Sequence, residues 1–126
     1  MVKILIIDDE ESIVFVFKEL LEVKGFEVAD NGVFLFSRFV EILDIIKKFN
    51  PEIILLDHSL GELNGLKIIN AVQKNAPAAI IFSISSMVAG SSIEEDYRKY
   101  GVVHFPGKDI KKILNCINKV CLCVHF

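Results

Sequence analysis

The chain predicts an α/β fold, a parallel sheet covered by helices on both faces. Three features carry that reading: short uninterrupted aliphatic runs, amphipathic stretches between them, and Gly, Asn or Pro at the joins. The aliphatic runs are "ILII" at 4–7, "IILL" at 53–56, "AIIFSI" at 79–84 and a shorter "VVHF" at 102–105. Continuous runs of this kind suit strands buried on both sides, where neither face needs polar residues. "FEVAD" at 26–30, after Gly25, reads as a further strand.

Helices fill the intervals. Ile13, Phe17, Leu20, Leu21 and Lys24 recur at helical spacing before Gly25 stops them. Phe39, Ile42, Leu43 and Ile46 mark a second helix, closed by "NPE" at 50–52. Asn64 is placed to cap a third, carrying Leu66, Ile69 and Val72 and ending before Pro77. A fourth falls within 87–100 and ends at Gly101, and residues 110–124 carry a clear apolar stripe. Strand and helix alternate five times, which calls for right-handed crossovers in one parallel sheet.

The composition narrows the function. With 126 residues, 52% hydrophobic and 25% charged, the chain is a globular single domain over 1–126. A net charge of −3 without a basic run argues against direct binding to nucleic acid. No apolar stretch is long enough to span a membrane and no signal-peptide pattern opens the chain, so the expectation is a cytoplasmic protein. Cys116, Cys121 and Cys123 match no zinc spacing and read as thiols on the last helix.

The chemistry sits where the strands end. Open parallel sheets bind ligands beyond the carboxyl ends of their strands. Asp8 and Asp9 follow the first run, Asp57 the third, Ser85 and Ser86 the fourth, and Lys108 the fifth. A helix cap accounts for one acid at a time, not for two adjacent acids facing a third across the sheet. Clustered carboxylates repel unless a cation joins them, and an all-oxygen set favours Mg²⁺ over Zn²⁺. Such an ion, with a carboxylate nucleophile, an ammonium and a hydroxyl, suits phosphoryl transfer to Asp57.

The chain at this point resembles a response regulator receiver domain, the chemotaxis-type phosphoacceptor of two-component signalling. "ILIIDDEES" resembles the family's first strand and acidic pair, "PEIILLDHSLGELNG" its phosphoacceptor strand and loop, "IFSISS" its fourth strand, and "YGVVHFPGKDI" its Gly-to-Lys segment. The resemblance implies a flavodoxin-like fold of five strands in the order 2-1-3-4-5. It further implies Asp57 as phosphoacceptor, and Mg²⁺ held by Asp9 directly, by Asp8 mainly through water, by Asp57 and by the Ser59 carbonyl. Ser85 becomes the switch hydroxyl, Lys108 the phosphate-binding lysine and Phe105 the switch aromatic. Ser83 is a competing hydroxyl, but Ile84 after it is not small, which favours Ser85. The chain departs from the family at Asp109, where Pro usually follows the lysine, at Gly61, where Pro is common, and in the long aromatic segment "NGVFLFSRFVEILDIIKK".

The expected function is that of a stand-alone receiver without an output domain. It takes a phosphoryl group from a histidine kinase or phosphotransfer protein and signals to a downstream target by altered protein contact. A homodimer through the fourth helix, fifth strand and fifth helix is a further expectation. It is not an enzyme acting on a free metabolite. The alternatives are a pseudo-receiver that works without phosphate and a Mg²⁺-dependent phosphohydrolase; the latter usually needs a second acid where this chain has Ser59. Phe34, Leu35 and Phe36, with the tail at 121–126, read as core first and as a partner surface second.

Overall fold

The computed structural model describes residues 1–30 and 39–124, the side chains of 122–124 excepted. Phe34, Leu35 and Phe36 and the end of the tail lie outside the described residues. The elements are β1 Lys3–Ile7, α1 Glu11–Val23, β2 Glu27–Asp30, α2 Phe39–Phe49 and β3 Ile53–Leu56. A short hairpin follows, β4 Ser59–Leu60 and β5 Leu63–Asn64, and then α3 Gly65–Asn75, β6 Ile80–Ser83, α4 Ser92–Arg98 and α5 Ile110–Val124.

Four strands form the main sheet in the order β2-β1-β3-β6. All pairs are parallel, with Ile4 opposite both Val28 and Ile53, and Leu56 opposite Ser83. The aliphatic runs are buried on both sides, as expected of strands with a helical layer on each face. Phe17 and Leu21 of α1 and Ile113 and Ile117 of α5 cover Ile4, Ile6, Leu55 and Phe82. Ile42 and Ile46 of α2, Ile69 and Val72 of α3 and Tyr97 of α4 cover Leu5, Ile7, Ile54 and Leu56.

The fifth position of the sheet differs from the expectation. The segment 102–105 forms no strand and joins β6 by a single parallel bridge, Phe82 to His104, with Ser83 N donating to His104 O at 3.0 Å. Pro106 has no N–H to extend the ladder, and Gly107, at φ +66°, turns the chain away. The order is that of the expected fold with its last strand reduced to one rung.

The caps follow the local sequence. Asn64 accepts from Lys67 N at 3.0 Å at the start of α3. Asp109 accepts from Lys111 N and Lys112 N at 3.0 and 3.2 Å, so it starts α5 where a proline would otherwise stand. Asn50, at φ +52°, ends α2 in the left-handed region that Asn tolerates. Gly61 occupies the turn of the β4–β5 hairpin at φ +66°, a position that proline, fixed near −65°, cannot take. That explains the departure at this residue.

Candidate functional site

Strands β1 and β3 end side by side, which brings Asp8 and Asp57 to one edge of the sheet. Both carboxylates are buried, at 2% exposure each. Neither caps a helix. Asp8 Oδ1 accepts from Glu10 N at 2.8 Å, and Asp57 Oδ1 accepts from His58 N at 2.9 Å. Glu10, the residue before α1, makes no side-chain cap to the helix. The local-cap explanation for these acids therefore drops away.

Lys108 closes the site from the segment after the reduced fifth strand. Its ammonium lies 2.9 Å from Glu10 Oε1, 3.2 Å from Asp8 Oδ2 and 3.5 Å from Asp57 Oδ2. The Asp109 that replaces the family's proline leaves the ammonium among the acids. Burial and the neighbouring Asp8 charge raise the Asp57 carboxyl to about 6, against the opposing pull of Lys108 and the His58 N–H. Asp8 is raised in the same direction, first by burial. Burial acts to lower the Lys108 pKa, but the Glu10 hydrogen bond and the Asp57 and Asp8 charges outweigh it and raise it. One ammonium thus serves three carboxylates and does not fully relieve the two that are buried.

Oxygen atoms of Asp8, Asp9 and Glu10 lie within 4.8 Å of one another. Asp9 and Glu10 stand exposed at the rim and Asp8 lies behind them. A set of carboxylate oxygens without His or Cys suits a hard cation, and its net negative charge beside a single ammonium gives that cation a reason to bind. The residues present therefore fit Mg²⁺. The carboxylate of Glu10, the residue before α1, belongs to this cluster as well. Ser59 lies in β4, two residues past Asp57, paired with Asn64 across the hairpin.

Ser85 and Phe105 both have other partners. Ser85 is buried and its Oγ accepts from Met87 N at 3.2 Å, a local turn contact. Ser83 is buried inside β6, and its Oγ has no hydrogen-bond partner. It ends the strand, whereas Ser85 lies two residues beyond it. Phe105 is half-buried against the core, with the Arg98 guanidinium 4.9 Å from its ring centre.

Two participants carried no sequence signal. His58 Nδ1 is 2.7 Å from the hydroxyl of Tyr97, which is fully buried on α4. Burial first, and then the Asp57 charge, raise the Tyr97 hydroxyl, while burial lowers His58, so both are held neutral. Gly65 makes the room: a Cβ there would collide with the Tyr97 hydroxyl and stand 3.0 Å from the Asp57 carbonyl.

The model of the response regulator receiver domain matches residues 4–115. The chain belongs to that family. This receiver is 27% identical over 120 residues to the chemotaxis protein CheY of Thermotoga maritima, covering 94% of this chain and 96% of that one. It is 32% identical over 108 residues to protein-glutamate methylesterase/protein-glutamine glutaminase 3 of Rhodospirillum rubrum, over 83% of this chain but only 27% of the relative's length. The fold is that of Vibrio cholerae chemotaxis protein CheY4, with a TM-score of 0.79 at 20% identity over 95% of this chain and 98% of that one. Receivers of this family are phosphoacceptor signalling domains of two-component systems, and the flavodoxin-like fold read from the sequence is the fold found.

Proposed function

We propose that this receiver accepts a phosphoryl group on Asp57 from a histidine kinase or phosphotransfer protein and passes the signal on by changed protein contact. The observation that carries the reading is the Lys108 ammonium set between Asp8 and Asp57 at the sheet edge. It places a buried carboxylate oxygen beside a fixed cation, which is what attack on a phosphorus centre needs.

Asp57 Oδ2 faces Lys108 and acts as nucleophile. As the O–P bond forms, the bond from phosphorus to the donor's nitrogen or oxygen breaks, and the leaving group takes a proton from solvent. Lys108 pairs with the phosphoryl oxygens, and the His58 N–H holds Oδ1 of the carboxyl. Asp8, Asp9, Asp57 and the Ser59 carbonyl would hold Mg²⁺, which when bound neutralises charge on the phosphoryl oxygens. The Ser85 hydroxyl leaves Met87 N for the new dianion, and Phe105 follows into the space beneath α4. The face made by α4, residues 102–105 and α5 then takes the downstream target or a second copy. The domain turns over no free metabolite. Among the described residues no helix is long and apolar enough to cross a membrane, and the cytoplasm is the compartment we assign.

The test is mass measurement after treatment with a small phosphodonor and Mg²⁺. Wild type should gain one phosphoryl group and Asp57→Asn none, because an amide is a poor nucleophile for this transfer. A wild type that gains no mass would replace this reading with an interaction module that works without phosphate.

A further inference from the structure

His58 is fixed at three points. Its N–H donates to Asp57 Oδ1 at 2.9 Å, its carbonyl accepts from Gly65 N at 2.9 Å, and its ring meets the Tyr97 hydroxyl at 2.7 Å. The first tie reaches the reacting carboxyl, the second the start of α3, and the third the interior of α4. Tyr97 is fully buried, and the absence of a Cβ at Gly65 is what lets its hydroxyl reach the loop. A tyrosine used only as core filling needs neither a glycine opposite its hydroxyl nor a polar partner beside Asp57. Ser85 is occupied by Met87 N and Phe105 by Arg98, so neither makes this connection.

We propose that Tyr97 is a positioning residue for the chemistry at Asp57: through His58 it holds the backbone N–H on Asp57 Oδ1, and so ties helix α4 to the phosphoacceptor by a route separate from Ser85 and Phe105. The inference rests on Asp57 being the phosphoacceptor. When the acyl phosphate hydrolyses, water attacks phosphorus, the P–O bond to Asp57 breaks, and the carboxyl regains its negative charge. Inorganic phosphate leaves with the hydroxyl of that water, whose other proton passes to solvent or to the phosphate. A donor fixed on Oδ1 stabilises the returning charge, so Tyr97 shortens the life of the phosphorylated state. The same tie transmits in reverse: a change at the carboxyl shifts His58 and thereby the buried side of α4.

The experiment uses the whole chain, phosphorylated with a small phosphodonor and Mg²⁺, then freed of donor. Loss of phosphoryl mass is followed with time, and amide exchange of α4 is measured with and without phosphate. Tyr97→Phe keeps the ring and loses the hydroxyl; it should slow phosphoryl loss by about three- to tenfold, the effect of one hydrogen bond. His58→Leu should slow it similarly, and the double variant no further, because both remove the same tie. His58→Asn sets an amide as far along the side chain as Nδ1 and should restore much of the rate. The phosphorylation-dependent change in α4 exchange should shrink in Tyr97→Phe. Wild-type phosphoryl lifetime and an undiminished α4 response in that variant, even with a lower melting temperature, would make Tyr97 a packing residue and overturn the inference. Wild type that is never phosphorylated overturns the reading beneath it instead.

Discussion

Replacing Asp57 by asparagine should stabilise this receiver at alkaline pH in the absence of Mg²⁺. Burial and the Asp8 charge raise the Asp57 carboxyl from 3.8 to about 6. Because the folded state holds this proton more tightly than the unfolded state does, its contribution is complete below the unfolded pKa and is lost as pH rises through the folded one. At 1.36 kcal/mol per unit, the ionised carboxylate costs the fold about 2–3 kcal/mol at pH 8. The amide introduced by Asp57→Asn carries no charge and can still accept from the His58 N–H, so the variant avoids that cost. For a domain of this size, that corresponds to a melting temperature higher by roughly 6–12 °C. Thermal melts at pH 8 and pH 4 give the comparison, with chelator and with saturating Mg²⁺. The gain should vanish at pH 4, where the wild-type carboxyl is already protonated. It should also narrow with Mg²⁺, because an ion that binds the native wild type would stabilise it by mass action. An Asp57→Asn variant no more stable than wild type at pH 8 in chelator would refute the reasoning, because burial and the Asp8 charge would then not outweigh the Lys108 ammonium at Asp57.

Two further outcomes follow from the same geometry. Gly65→Ala should destabilise the fold by about 1–3 kcal/mol, since the new methyl meets the Tyr97 hydroxyl and the Asp57 carbonyl; denaturant titration measures it, and Tyr97→Phe in the same chain should recover part of the loss. Asp9→Ala should abolish the response of the site to Mg²⁺ titration, seen as shifts in amide signals of residues 8–10 and 57–59, while leaving stability in chelator within about 0.5 kcal/mol of wild type because the side chain is exposed.

What the sequence made legible followed its strongest local signals. Runs such as "ILII" and "IILL" have no polar alternation, and only a strand covered on both faces buries them, so the sheet and its edge of acids could be placed. Asp8, Asp57 and Lys108 converge because each ends or follows such a run. The hairpin at 59–64 had no comparable mark: "SLGELN" lacks the alternating pattern of longer strands, and only Gly61 hints at the turn. The single rung at His104 escaped because "VVHF" is apolar enough for a strand, while the limit comes from Pro106 beyond it. Glu10 and Tyr97 were not legible for a different reason. Glu10 meets a lysine 98 residues away and Tyr97 a histidine 39 residues away, and contacts of that separation leave no local pattern.

The lone rung at His104 also decides which part of the molecule opens first. Each of the inner strands pairs with a neighbour along four register positions, whereas, among the described residues, the segment leading to Lys108 pairs with the sheet only through the bridge of Phe82 to His104. Local opening draws on the weakest ties, and a segment with one ladder contact detaches at far lower cost than a strand within the sheet. Phe105 and Lys108 both ride on that segment. On the proposed function, the exchange of the lysine's carboxylate partners for a phosphate and the re-seating of the aromatic would proceed through excursions that leave β1, β3 and their protected amides undisturbed. Exchange should therefore run faster at Val103–Phe105, Gly107 and Lys108 than at Ile4–Ile7, so that the segment carrying the lysine meets solvent more often than the sheet behind it.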